Sequence, residues 1–194
     1  DSTTLLYQVI PADRKLPPAR LSVPTGPTIQ ESSGKVAPVR TFQDLLTSAH
    51  DMDLFDHYLT AQLMRVDVVS GRAAPFGQPG IYSTIEPAPG GQYILFHRIQ
   101  RPYSLLHTAG AFPRDIGIWD TSGKTTRLFS RPLEDSIPIE GVATGPRNIA
   151  WRPDDPATLF WVEALDGGDP KRKVDHRDRL MTLKAPFTGQ PAEW

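Results

Sequence analysis

Ile85-Glu86-Pro87-Ala88-Pro89-Gly90-Gly91-Gln92-Tyr93-Ile94-Leu95-Phe96 reads as apolar strand, tight turn, apolar strand. The pattern returns 65 residues later as Ala150-Trp151-Arg152-Pro153-Asp154-Asp155-Pro156-Ala157-Thr158-Leu159-Phe160-Trp161. A second repeat pairs Leu63-Met64-Arg65-Val66-Asp67-Val68-Val69-Ser70-Gly71 with Ile116-Gly117-Ile118-Trp119-Asp120-Thr121-Ser122-Gly123-Lys124, each a strand running into a turn. Fixed-period strand modules of this size predict an all-β fold, a β-propeller built from four-stranded antiparallel blades. Roughly two and a half blades fit in the chain. An open propeller leaves strand edges unpaired and buries little core, so the expectation is a fragment of something larger.

Outward from these repeats, three regions are expected. Residues 1–40 read as an extended Pro-rich segment with one apolar run, Leu5-Leu6-Tyr7-Gln8-Val9-Ile10. Residues 41–60 read as a helix, with Thr41 as N-cap and Asp44 imitating a capping box. Phe42, Leu45, Leu46, Ala49, Met52, Phe55 and Leu59 fall at helical spacing and predict one packing face. Residues 61–194 carry the blades. Two closing strands, 62–69 and 75–77, are followed by a nearly complete blade at 81–86, 92–99, 114–120 and 125–130. A third has strands at 147–152, 158–164 and 178–184 and an end near Trp194.

Successive turns of an antiparallel meander alternate between its two ends. The short turns therefore share one end, and the long connections 100–113, 131–146 and 165–177 share the other. Long loops on a rigid scaffold are where binding concentrates.

Composition narrows the class. The 194 residues are 39% hydrophobic and 22% charged, which indicates a globular chain. The net charge of -1 gives no electrostatic reason to expect nucleic acid. With no cysteine, disulfides and thiolate zinc sites are excluded. No apolar run approaches the roughly 18 residues that would predict membrane insertion. The chain opens at Asp1 without Met, so a segment upstream is expected.

Motifs with chemical meaning are sparse. There is no G-x-S-x-G nucleophile elbow. Gly123-Lys124-Thr125 has the end of a phosphate-binding loop, but strands flank it where a helix should follow, so a β-turn is expected. Asp175-His176-Arg177-Asp178 sits among Lys171, Arg172, Lys173 and Arg179, and that positive charge opposes a metal. Glu163, Asp166 and Asp169 are close in sequence, but Asp166-Gly167-Gly168-Asp169-Pro170 is first a turn. Trp119, Trp151 and Trp161 are expected in the core.

One further group of residues carries a family likeness: Phe112-Pro113-Arg114, Ile137-Pro138, Gly145-Pro146-Arg147, Trp151-Arg152, Pro156-Ala157-Thr158-Leu159 and Trp161-Val162-Glu163-Ala164-Leu165-Asp166-Gly167-Gly168-Asp169-Pro170. From about residue 41 onward the chain resembles the N-terminal propeller of the prolyl oligopeptidase family of serine peptidases. The nearest branch is that of the glutamyl endopeptidases of plant chloroplasts and their bacterial relatives. The Gln43-Asp44-Leu45-Leu46 helix, Arg177-Asp178 and Ala185-Pro186-Phe187 fit the same branch.

The resemblance implies a C-terminal α/β-hydrolase domain that carries the catalytic triad, with the propeller capping it and filtering peptides by size. No catalytic residue of the family can be carried over to these 194, and no cofactor and no metal are expected. Its expected partners are the hydrolase domain, the remaining blades and peptide substrates. A bacterial periplasm or secretion is its favoured compartment, with the cytoplasm as the alternative. The substrate-facing candidates are Arg101, Tyr103, Arg147, Lys171, Arg172, His176 and Arg177. The alternative is a stand-alone propeller scaffold that binds a protein partner. A glycan-binding propeller would need exposed aromatics on the long-loop face, where Tyr103 and Phe112 offer themselves.

Overall fold

The computed structural model describes residues 3–20, 22 and 42–194. Among the described residues, ten strands form two antiparallel sheets, neither of them closed into a barrel. The first has six strands in sequence order: β1 (Thr4–Val9), β2 (Ala61–Asp67), β3 (Ala73–Pro87), β4 (Tyr93–Ile99), β5 (Arg114–Asp120) and β6 (Thr125–Arg131). The second runs β10 (Ala192–Glu193), β9 (Asp178–Lys184), β8 (Thr158–Ala164), β7 (Arg147–Trp151). One α-helix, α1 (Ala49–Leu59), precedes β2. It is too short to cross a membrane.

The strands expected from residue 81 onward are present, each paired with its sequence neighbour. Three earlier boundaries differ. The run Leu5–Val9 is a strand, paired with β2 in the register Leu5↔Val66 and Tyr7↔Met64. Its partner lies about sixty residues away, a separation that local pattern does not reveal. The expected break between 77 and 81 is absent. β3 continues through it, its first half bonded to β2 and its second half to β4. Gly77 makes this possible: at φ +66 it bends the strand, and any Cβ there would lie 2.9 Å from the Trp119 ring.

The helix is also shorter than 41–60. Ser48 is the N-cap and accepts a hydrogen bond from the Asp51 N–H at 3.2 Å. Asp51 in turn accepts from the Thr47 N–H at 2.9 Å. Ser48-x-x-Asp51 is therefore the local start signal, and Asp44, at φ +55, is outside the helix. Thr41 and residues 23–40 lie outside the described residues.

Two apolar clusters hold these elements together. Leu95, Ile116 and Ile118 meet Ile149, Trp151, Leu159, Trp161, Met181 and Leu183 between the sheets. On the opposite side of β4 and β5, Phe96 and Trp119 pack on Leu63 and Phe76 of the first half-sheet. Residues Ile116 to Trp119 are consequently buried on both faces, and β5 is the centre of the molecule. The three core tryptophans are where they were expected. Trp151 adds a bridge between the sheets, its indole N–H donating to the Glu86 carbonyl at 2.9 Å. The repeated turns also meet, with the Gly90 N–H donating to the Pro156 carbonyl at 2.8 Å.

Candidate functional site

Strand register fixes where the long connections emerge. Ile99, Arg114 and Arg131 lie level at one end of the first sheet. Ala164 and Asp178 are level at one end of the second, near Arg147 and Val162. The connections 100–113, 132–146 and 165–177 all leave from these ends, and they touch. The Glu134 N–H donates to the Ala111 carbonyl at 2.9 Å, and the Val142 N–H to the Gly168 carbonyl at 3.1 Å. A cleft of about 260 Å³ lies between the first two, lined by Phe42, His107, Ala111, Glu134, Ile137 and Pro138.

α1 closes the same end. Arg101 reaches Asp53 at 2.6 Å and Asp56 at 2.5 Å. Exposed ion pairs of this kind contribute about 0–1 kcal/mol, so they orient the helix more than they hold it. Phe55 does the holding, its ring edge-on to Tyr103 at 4.9 Å and to Phe112 at 5.6 Å. Tyr103 and Phe112 are buried at 6% and 2% exposure, which removes the exposed aromatic platform a glycan would need. The Tyr103 hydroxyl donates to Asp56. Burial first, then that carboxylate, raise its pKa, so it remains a donor and is no base.

The seven predicted candidates divide by partner. Arg101, Tyr103, Arg147 and Arg177 are held by carboxylates of the chain itself. Arg147 pairs with Asp178, and Arg177 pairs with Asp166 at 2.9 Å. Lys171, Arg172 and His176 are exposed, and their side chains have no carboxylate partner among the described residues. The segment 171–176 is therefore the free cationic part of this end.

Asp166 explains how that segment is shaped. It is 1% exposed, accepts the Gly168 N–H at 2.8 Å and binds Arg177. Burial works to raise its pKa, but the backbone N–H and the guanidinium outweigh it and the net shift is downward. Glu163 is lowered as well, by the Trp161 indole N–H against burial and then by Arg179. Asp169 accepts the Lys171 N–H at 2.9 Å. All three carboxylates serve the loop and its flanking strand, and two are poor general acids. Gly123-Lys124-Thr125 forms the β5–β6 turn, with Gly123 at φ +84 and the Lys124 N–H on Asp120.

Sequence reasoning missed a second group beneath the loops. Arg114 and Arg131 face each other across β5 and β6, and Arg131 is paired with Glu134. Arg114 donates to the Phe112 carbonyl at 3.3 Å and the Ala109 carbonyl at 3.1 Å, fixing the end of the 100–113 connection. His97 lies against them, its Nε2 buried with no partner among the described residues. Burial, then Arg114 and Arg131, push its pKa down to about 4. No local motif announces this group, because its members come from three strands and one loop.

Two relatives match the chain along its whole length. It is 43% identical to a rice protein named "Probable glutamyl endopeptidase, chloroplastic". It is 40% identical to an Arabidopsis thaliana protein of the same name. The chain is related to proteins named as peptidases. It spans about a fifth of their length, 21% and 20%. No family model matches it.

Proposed function

We propose that these 194 residues are the non-catalytic, propeller part of a serine peptidase, gating peptide access to an α/β-hydrolase domain in the rest of the protein. The observation that carries this reading is the similarity, along the whole of this chain, to about a fifth of proteins named glutamyl endopeptidase, in a chain whose long loops gather at one end. Stacked four-strand meanders, 81–131 and 147–193, support the propeller geometry. So do the outer surfaces. Phe160, Val162 and Leu180 face away from the shared core and are only half-buried, a surface suited to a further blade.

In the intact enzyme, serine attacks the peptide carbonyl, histidine takes and returns the proton, and an oxyanion hole holds the tetrahedral intermediate. None of those groups is assigned to this chain. Its part is to restrict entry to short or extended peptides and to bias their charge. Lys171, Arg172 and His176 supply that bias by attracting acidic side chains as they pass. Arg101, Arg147 and Arg177 shape the loops that present them.

Charge reversal tests the division. In the intact enzyme, Lys171→Glu with Arg172→Glu should lower kcat/KM for acidic peptides by roughly two- to ten-fold and spare neutral ones. The difference should shrink as salt is raised. Kinetics unchanged across peptide charge and length contradict the gating role.

A further inference from the structure

The cleft of about 260 Å³ between the 100–113 and 132–146 connections has an unspent charge on its wall. Glu134 is 15% exposed and meets Arg131 through one oxygen only. The Arg131 Nε donates to Oε1 at 2.8 Å, and a second guanidinium nitrogen goes to the same Oε1. Oε2 has no partner among the described residues. An ionised carboxylate accepts at both oxygens, so half of this one is free. The His107 imidazole, also on the wall, makes no hydrogen bond among the described residues, and its ring rests 5.8 Å from that of Phe42.

The rest of the cleft suits a donor on an apolar stem. Ile137, Pro138, Ala111 and the Phe42 ring line it. Its backbone N–H groups are already spent: Ala111 donates to Thr108, Glu134 to Ala111 and Gly141 to Pro138, and Pro138 has none. Neither Arg114 nor Arg131 is among the walls. The one free charge it presents is therefore negative, set in an apolar sleeve. At about 30 Å³ per water, the cleft holds roughly eight or nine waters, room for one long side chain. A guanidinium pairs best with both oxygens of a carboxylate, and one is taken here. A compact ammonium needs only one.

We infer that this cleft binds the ammonium of a lysine side chain, carried on a peptide that reaches the long-loop end. The lysine stem lies along Ile137, Pro138 and Phe42, as aliphatic stems lie on apolar surface, and its Nζ donates to Glu134 Oε2. The cleft adjoins the cationic loop. A Cβ on its wall residue Gly141 would be 2.5 Å from the Gly168 carbonyl oxygen, so the 165–177 connection lies directly against it. One end of the molecule thus offers a negative pocket beside the exposed Lys171 and Arg172. A peptide is read there for a lysine as well as for acidic side chains. That the carrier is a peptide rests on the proposed gating role; the ammonium site rests on the cleft alone.

Saturation-transfer NMR on the protein at its native length tests it, with Nα-acetyl-lysine amide as the probe. Transfer to the stem methylenes is the expected result. Nα-acetyl-norleucine amide has the stem without the ammonium and should bind roughly five-fold more weakly. Equal binding of the two removes the ion pair and overturns the inference, as does no transfer to the lysine probe. Glu134→Gln removes the charge, whereas Ile137→Trp fills the cleft and keeps the Arg131–Glu134 pair. Each should weaken the lysine probe by roughly five-fold or more. Loss in Glu134→Gln with wild-type binding in Ile137→Trp would trace the loss to the broken Arg131 pair and contradict the site. Tighter binding of n-butylamine than of the lysine probe makes the ligand a free amine and contradicts the peptide carrier. The measurement reads binding without turnover. A protein that cleaves no peptide still gives the signal, so this inference and the gating role fail separately.

Discussion

Asp166 and Arg177 show how one ion pair decides what a loop residue is for. Arg177 looks like a free cation in sequence, but its guanidinium holds a carboxylate taken out of water. Arg177→Glu would leave Asp166 buried beside a like charge, so loss of loop order should accompany any change in substrate preference. The pH dependence follows from the lowered pKa of Asp166. Its stabilising contribution is present above the unfolded value of about 4 and is lost as pH falls through the lower folded value. Asp166→Asn should therefore lower the urea midpoint at pH 6 and flatten its decline between pH 5 and 2. His97 acts in a different window. Its folded pKa of about 4 lies below the unfolded 6.5, so both states are neutral at high pH. As pH falls below about 6.5 only the unfolded state gains the proton, and stability drops until about pH 4. His97→Leu should remove that slope from the thermal midpoint measured over pH 4–8. An unchanged slope would mean that His97 is protonated in the folded protein. Neither role was legible in the sequence: the charges were visible, but their partners were set by register and loop contact.

Among the elements, the strands from residue 81 were legible because each is a short apolar run between Pro, Gly and Asp turns. β1 and the joined β3 were not. β1 depends on a distant partner, and Gly77 carries the strand round a bend between Pro75 and Pro79, residues that read as strand breakers. The helix stripe reads correctly at Phe55, which packs on Tyr103 and Phe112, but Ser48 sets the start. The long loops behave as one element, and their junction lies at Gly168. At φ +77, a Cβ there would overlap the Val142 carbonyl oxygen. Gly168→Ala should cost about 1–3 kcal/mol in denaturant unfolding and raise exchange at the Val142 amide. A neutral substitution would show that the 131–146 and 165–177 connections move independently.

At the scale of the molecule, β5 is buried on both faces, while the outer faces of β1 and β8 still carry exposed or half-buried apolar side chains. Among the described residues the stack is closed at its centre and carries apolar side chains on its outer faces, as the proposed propeller requires. The convergence of the long connections was readable from strand alternation alone, since meander geometry leaves no other arrangement. The exposed cations at 171–176 were readable as charges; that they alone stay unpaired among the candidates was not. The most direct test of the central claim is the intact mass of the native gene product, taken together with fluorophosphonate labelling. A chain several times longer than 194 residues, labelled on one serine that maps beyond Trp194, is the expected result. A native chain that ends near Trp194 and takes no label would contradict it and leave a stand-alone binding scaffold in its place.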